Sequence, residues 1–152
     1  MKKIISILCV IAPFLLKAQA SREADSLAVD KACKDYVEGY YLGDSSRIRL
    51  AMHAELCKRV LPAKANYKIY ATSVDDLISS AVKRKSQTDP DPSVPFKIKV
   101  EIYDLSYGIS TAKISTNKLP FIDYAQLAKV GSEWKVVNVL WAFTPTPGTK
   151  GD

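Results

Sequence analysis

Few residues in this chain are equipped for chemistry. His53 is the only histidine. One imidazole cannot build a zinc site by itself; it could act as a general base near neutral pH, or simply end a helix in solvent. Cys9, Cys33 and Cys57 show no CxxC or Cys/His spacing of a metal or redox site. The most informative pair is Asp123 and Asn138, which flank Gly131-Ser132 in two runs of alternating polarity. If Gly131 and Ser132 are the turn of a hairpin, Val130 faces Glu133 and the pairing runs outward from there. Asp123, Trp134, Asn138 and Leu140 then share one sheet face, with Asp123 and Asn138 as diagonal neighbours. A carboxylate and an amide in apolar surroundings are costly to bury without partners. They either satisfy each other or a backbone group, or they border a cavity. In a cavity Asp123 is the candidate base, since proton abstraction beside a carbonyl needs a carboxylate screened from water. The inference rests on register, because a slip of one residue puts the two on opposite faces.

Helices must hold these groups in place. Residues 23 to 41 read as an amphipathic helix, with Val29, Cys33, Tyr36, Val37 and Tyr40 at spacings of three and four. Tyr36 and Tyr40 lie one turn apart and overhang the same sheet face; they are either core aromatics tethered at the rim or part of a pocket wall. Gly43 ends this helix. Asp44, Ser45 and Ser46 can cap a second, ending near His53 to Glu55. Short β runs follow at 58–61 and 67–71. Ser73 and Asp76 form a capping-box-like start to a third helix, which the Lys83-Arg84-Lys85 triplet finishes. Residues 87–95 carry three prolines and read as a surface loop. Strands are expected at 96–103, 109–116, 121–130 and 133–143, and a disordered tail at 144–152. Helices first and antiparallel strands last argue an α+β fold, with helices on one face of a curved sheet.

The N-terminus reads as an export signal. Lys2-Lys3, an apolar run from Ile4 to Leu16 and Ala18-Gln19-Ala20 follow the order of a cleavable signal peptide. The apolar run is short for a membrane span, which needs roughly 20 residues. The expected organisation is a signal at 1–20, a single domain at 21–143 and the tail. Loss of Lys2, Lys3 and Lys17 takes the formal net charge from +6 to +3. The remaining charges are interspersed, which argues against nucleic-acid binding, and no membrane association is expected after cleavage. Cys33 and Cys57 could pair in an oxidising compartment, although Cys33 on the buried stripe needs only a small apolar role.

Two blocks carry a family resemblance. One is Tyr36-Val37-Glu38-Gly39-Tyr40-Tyr41-Leu42-Gly43-Asp44 with Arg47 to His53. The other is Phe121-Ile122-Asp123-Tyr124 with Leu127, followed by Gly131-Ser132-Glu133-Trp134-Lys135-Val136-Val137-Asn138. The chain resembles the putative lumazine-binding family of the nuclear transport factor 2-like superfamily over about residues 27 to 143. The resemblance implies a cone fold, three N-terminal helices packed on a curved, mainly antiparallel sheet, with a hollow above the Asp123 face. No cofactor is expected. Its relatives include ketosteroid isomerases, polyketide cyclases and dehydratases as well as members that only bind, and fold does not settle function.

The reading that follows is a periplasmic or secreted protein that binds a small organic molecule without turnover. Tyr36, Tyr40, His53, Asp123, Trp134, Asn138 and Leu140 are the candidate ligand contacts, and no metal is expected. A binder of this kind calls for a cavity of roughly 300 Å³ or more. One alternative is an isomerase, cyclase or dehydratase type of enzyme with Asp123 or His53 as its base. Another is a partner-binding dimer with a vestigial pocket. In the expected register Tyr124, Val139 and Trp141 share the outer sheet face, an apolar patch suited to a second copy of the chain. N-terminal sequencing of exported protein is expected to begin at Ser21; a retained Met1 would overturn the signal assignment.

Overall fold

The computed structural model describes residues 2–61, 69–85 and 92–144. The elements are α1 (Lys2–Leu42), α2 (Ser45–Ala51), β1 (Met52–Leu61), β2 (Tyr70–Thr72), α3 (Val74–Lys85), β3 (Ile98–Ser106), β4 (Ile109–Thr116), β5 (Phe121–Val130) and β6 (Glu133–Phe143). The sequence-expected tail beyond Thr144 and much of the 87–95 loop lie outside the described residues.

Local chemistry accounts for most element ends. The first helix was expected from residue 23 but begins at Lys2. Ala20 to Ala24 includes Ala, Arg and Glu, good helix formers, and contains no breaker. At its other end Gly43 adopts φ 66°, a left-handed conformation that glycine reaches without a Cβ penalty. The Asp44 side chain then accepts from the Arg47 N–H at 3.0 Å and starts α2. Ser73 and Asp76 close the expected capping box of α3, with the Asp76 N–H donating to Ser73 Oγ at 3.2 Å and the Ser73 N–H to Asp76 Oδ2 at 3.4 Å.

The six strands form one mixed sheet in the order β2-β1-β6-β5-β4-β3. Only the β1–β6 pair is parallel; the other neighbours are antiparallel. The chain therefore has the α+β cone architecture, three helices on a mixed, curved sheet. Helix α1 packs on β3 and β6 and against both other helices. Beneath it the core gathers Val29, Val37, Ile48, Ile114, Leu127 and Val136, all essentially inaccessible.

The β5–β6 register decides which residues face that core. It follows the expected hairpin from Val130 opposite Glu133 to Leu127 opposite Val136. There a β-bulge leaves Val137 without a partner, and Gln126 pairs with Asn138. Period-two alternation then reverses phase along the rest of β6. Val139 is fully buried, and Trp141 lies opposite Asp123. This corrects two sequence expectations. Asn138 and Leu140 are on the outer face, away from Asp123. The outer apolar patch centred on Val139 and Trp141 does not exist there. Of that trio only Tyr124 is outward and exposed, among Leu140, Gln126, Lys113 and Arg59.

Gly39 lies at the α1–α2 contact, where an added Cβ would come within 2.9 Å of Ile48 Cγ1 and 3.2 Å of the Asp44 carbonyl oxygen. The neighbouring backbone of α2 leaves little room to yield. Gly39→Ala is therefore expected to destabilise the domain by about 1–3 kcal/mol through overpacking, read as a lower urea midpoint. An unchanged midpoint would mean that the two helices separate freely.

Candidate functional site

Three elements place one polar group each beneath the helices. Tyr36 comes from α1, Lys58 from β1 and Asp123 from β5. Lys58 lies opposite Val139 in the parallel pairing, so it shares the inward phase of Leu56 and Val60. Its side chain is 7% exposed and that of Asp123 0%. The Tyr36 hydroxyl donates to Asp123 Oδ2 at 2.5 Å and accepts from Lys58 Nζ, also at 2.5 Å. Lys58 Nζ is 3.2 Å from both carboxylate oxygens. Every member has a partner, as burial of such groups requires.

Burial and charge oppose each other at Lys58. Desolvation pulls its ammonium below the usual lysine range, and the neighbouring Asp123 only partly opposes this. Tyr36 is held protonated well above the usual phenol range, first by burial and then by the Asp123 carboxylate. Tyr36 is therefore a neutral hydroxyl where it donates to Asp123. Cys33, one turn before Tyr36, is buried, and desolvation pushes its thiol up to about 12. Both Cys33 and Cys57 are free thiols.

The pocket opens above this triad. It holds about 110 Å³ and is half-enclosed, smaller than the roughly 300 Å³ expected of a full ligand site. Tyr36, Tyr40, Phe121 and Trp141 form aromatic walls around Lys58. Thr72, Leu77 and Ser80, from β2 and α3, complete the lining. Lys58 Nζ lies 5.0 Å from the Trp141 ring centre and 5.2 Å from that of Tyr36, within cation–π range. The Trp141 indole N–H is buried and has no hydrogen-bond partner. An unpartnered buried donor is uncommon in folded proteins, and this one belongs to a residue of the pocket wall.

The sequence-selected residues divide. Tyr36 and Tyr40 line this pocket. Asp123 sits behind it, closed off by Tyr36 and Lys58. His53 does not end a helix. It lies in β1, partly buried, where the pairing to β6 is irregular, and its Nδ1 accepts from the Glu55 N–H at 3.2 Å. It does not line the pocket. Trp134 is buried at the far end of the hairpin and donates to Asp25 at 2.9 Å. Asn138 accepts from Arg59 and donates to Gln126 on the outer face, both at 3.0 Å. Leu140 is exposed beside it. The expected Asp123–Asn138 pair is thus separated by the sheet itself.

Lys58 is the residue that sequence reasoning missed. Its signal was the alternation Leu56, Lys58, Val60, which sets a lysine in an apolar phase. Trp141 was assigned to the wrong face because nothing in the local pattern announces the bulge. A wider groove of about 310 Å³ runs between α1 and the β5–β6 turn. There Lys135 Nζ donates to the Leu50 carbonyl and Trp134 to Asp25, so these donors are already engaged.

Comparison with known proteins agrees with this architecture. Residues 24–142 match the model of the family described as putative lumazine-binding, and the chain belongs to that family. No curated protein sequence matches it significantly. Among solved structures, a nuclear transport factor 2-like protein of unknown function from Shewanella baltica superposes with TM-score 0.63 at 21% identity, covering 80% of this chain and 95% of the other. A second such protein, from Silicibacter pomeroyi, gives TM-score 0.64 at 11% identity, covering 80% and 97%. The hexachlorocyclohexane dehydrochlorinase LinA-type3 from Novosphingobium barchaimii gives 0.58 at 13% identity, covering 88% and 98%. At these identities the likeness establishes the fold alone.

The triad predicts a non-additive mutational pattern. Lys58→Met leaves the Asp123 carboxylate buried without its cation and is expected to cost about 3–5 kcal/mol. Lys58→Met with Asp123→Leu removes both charges and is expected to recover most of that loss, as read by urea unfolding. A double-variant loss equal to the sum of the two single losses would show that the two charges are not coupled.

Proposed function

From membership of this family and the geometry of the pocket, we propose that the protein binds a small organic molecule bearing a planar ring and a hydrogen-bond acceptor, without turning it over. The observation that carries the reading is the recess walled by Tyr36, Tyr40, Phe121 and Trp141, with Lys58 Nζ held 5.0 Å from the Trp141 ring centre. The Lys58 ammonium suits a carbonyl or phenolic oxygen, and the rings of Tyr36, Tyr40, Phe121 and Trp141 suit a flat apolar body. The small volume supports recognition of a single-ring head, with the rest of the ligand projecting past Thr72 and Ser80. A cavity of this order can hold a benzene-sized molecule. The family description supports a small-molecule ligand. The proposed location is the periplasm or outside the cell, in keeping with the leader-like N-terminus.

Catalysis is the rival. A neighbour of the same fold is described as a dehydrochlorinase, and others as a putative dehydratase and a ketosteroid isomerase-like protein. Proton abstraction needs a base within hydrogen-bond reach of the substrate. Both oxygens of Asp123 are engaged by Tyr36 and Lys58, and His53 lies outside the pocket. That arrangement favours binding.

Isothermal titration with a panel of one-ring phenols and aryl ketones tests the proposal. Wild-type protein is expected to bind at least one class in the micromolar range. Trp141→Ala removes a wall ring of the recess and is expected to weaken binding about tenfold or more. Ser80→Trp, on the exposed face of α3 at the mouth, should abolish it. Binding that survives Ser80→Trp unchanged would place the ligand elsewhere.

A further inference from the structure

Lys58 has a second capability beyond donating a hydrogen bond. Its Nζ is the only nitrogen nucleophile among the pocket-lining side chains other than the indole, and it stands at the base of the recess. A primary amine in an apolar pocket is the arrangement that activates lysine toward carbonyl carbon. The hydroxyl of Tyr36 bridges Lys58 Nζ and Asp123 Oδ2, at 2.5 Å on each side, which makes a proton path between amine and carboxylate. We propose that Lys58 captures small aromatic aldehydes or ketones covalently and reversibly, as an imine, in the same pocket. The inference rests on the ligand-binding reading above and names the chemical class it would take.

The step balances within the triad. The Lys58 ammonium passes a proton to Tyr36 Oη as the Tyr36 hydroxyl proton moves to Asp123 Oδ2, leaving a free amine and a neutral carboxyl. The amine lone pair forms a C–N bond with the carbonyl carbon while the C=O π pair moves to oxygen. That oxygen takes up a proton released by the attacking nitrogen, giving a carbinolamine. The proton held on Asp123 returns through Tyr36 to the departing oxygen, the C–O bond breaks, and water leaves. The product is a protonated imine beside an Asp123 carboxylate. An ammonium and a carbonyl compound have become an iminium ion and water, with no redox change. Its positive charge occupies the place of the former ammonium, beside Asp123 and among the rings of Tyr36, Phe121 and Trp141. Burial supports the chemistry, since desolvation already lowers the proton affinity of Lys58.

Benzaldehyde is the probe. The full chain is incubated with benzaldehyde and cyanoborohydride at neutral pH, digested, and each lysine mapped for benzylation by mass spectrometry. Lys58 is expected to be labelled first, at least tenfold faster than any exposed lysine. Ser80→Trp should slow Lys58 labelling by a similar factor without changing the surface lysines. Tyr36→Phe, which breaks the proton path but leaves the amine in place, should also slow it. Benzyl alcohol, which cannot form an imine, is titrated in parallel. If it binds and Lys58 stays unlabelled while surface lysines react, covalent capture is overturned and the binding reading stands. If it fails to bind and Lys58 is also unlabelled, both fall. Selective labelling of Lys58 supports the inference whatever the affinity of the alcohol.

Discussion

A lysine, a tyrosine and an aspartate from three different elements meet in the interior, and each is tolerable there only because of the other two. An isolated carboxylate or ammonium in that position would carry a large desolvation penalty. Together, Tyr36 donates to Asp123, Lys58 donates to both, and no charge is left without a partner. The geometry ties α1 to β1 and β5, strands separated by β6 in the sheet. Helix α1 cannot slide along the sheet without stranding one of these groups. Buried polar contacts of this kind contribute less to net stability than to holding one arrangement, and here they hold the floor of the pocket.

The walls depend on a second constraint, the bulge at Val137. One extra residue in β6 turns Val139 and Trp141 inward and Asn138 and Leu140 outward. Without it Trp141 would face away from Lys58, and the recess would lose its largest ring. The same bulge removes two of the three residues that would have made the outer face an apolar patch. Asn138 there is held between Arg59 and Gln126. A single backbone irregularity therefore furnishes the pocket and makes the opposite face polar.

These two features bear on function together. A cone fold supplies a hollow, and related folds use such hollows for different ends. In this chain Asp123 is closed off behind Tyr36 and Lys58, while Lys58 and the ring of Trp141 line the recess. The groups that line the recess are thus an amine, hydroxyls and aromatic rings, with the carboxylate behind them. The modest volume restricts what can be fully enclosed to a ring-sized group, so selectivity would rest on the fit of that ring against Tyr40, Phe121 and Trp141.

Much of this protein was legible in its sequence. The amphipathic stripe of α1 placed Tyr36 and Tyr40 together, because helical period depends on local spacing alone. The cap at Asp44, the box at Ser73 and the turn at Gly131-Ser132 are likewise local signals. The strand bounds 109–116, 121–130 and 133–143 follow from alternation, and the inward position of Asp123 follows from counting along β5. The rest was decided by tertiary structure. Val137 has the residue type of an ordinary strand position, and the bulge arises only where β6 must pair with β5 on one side and β1 on the other. Lys58 reads as a surface lysine until β1 is laid parallel to β6, which turns its phase inward toward Asp123. A parallel pairing across 80 intervening positions, Lys58 to Val139, is not set by local sequence, since each strand's pattern is satisfied by either face until a neighbour covers one of them.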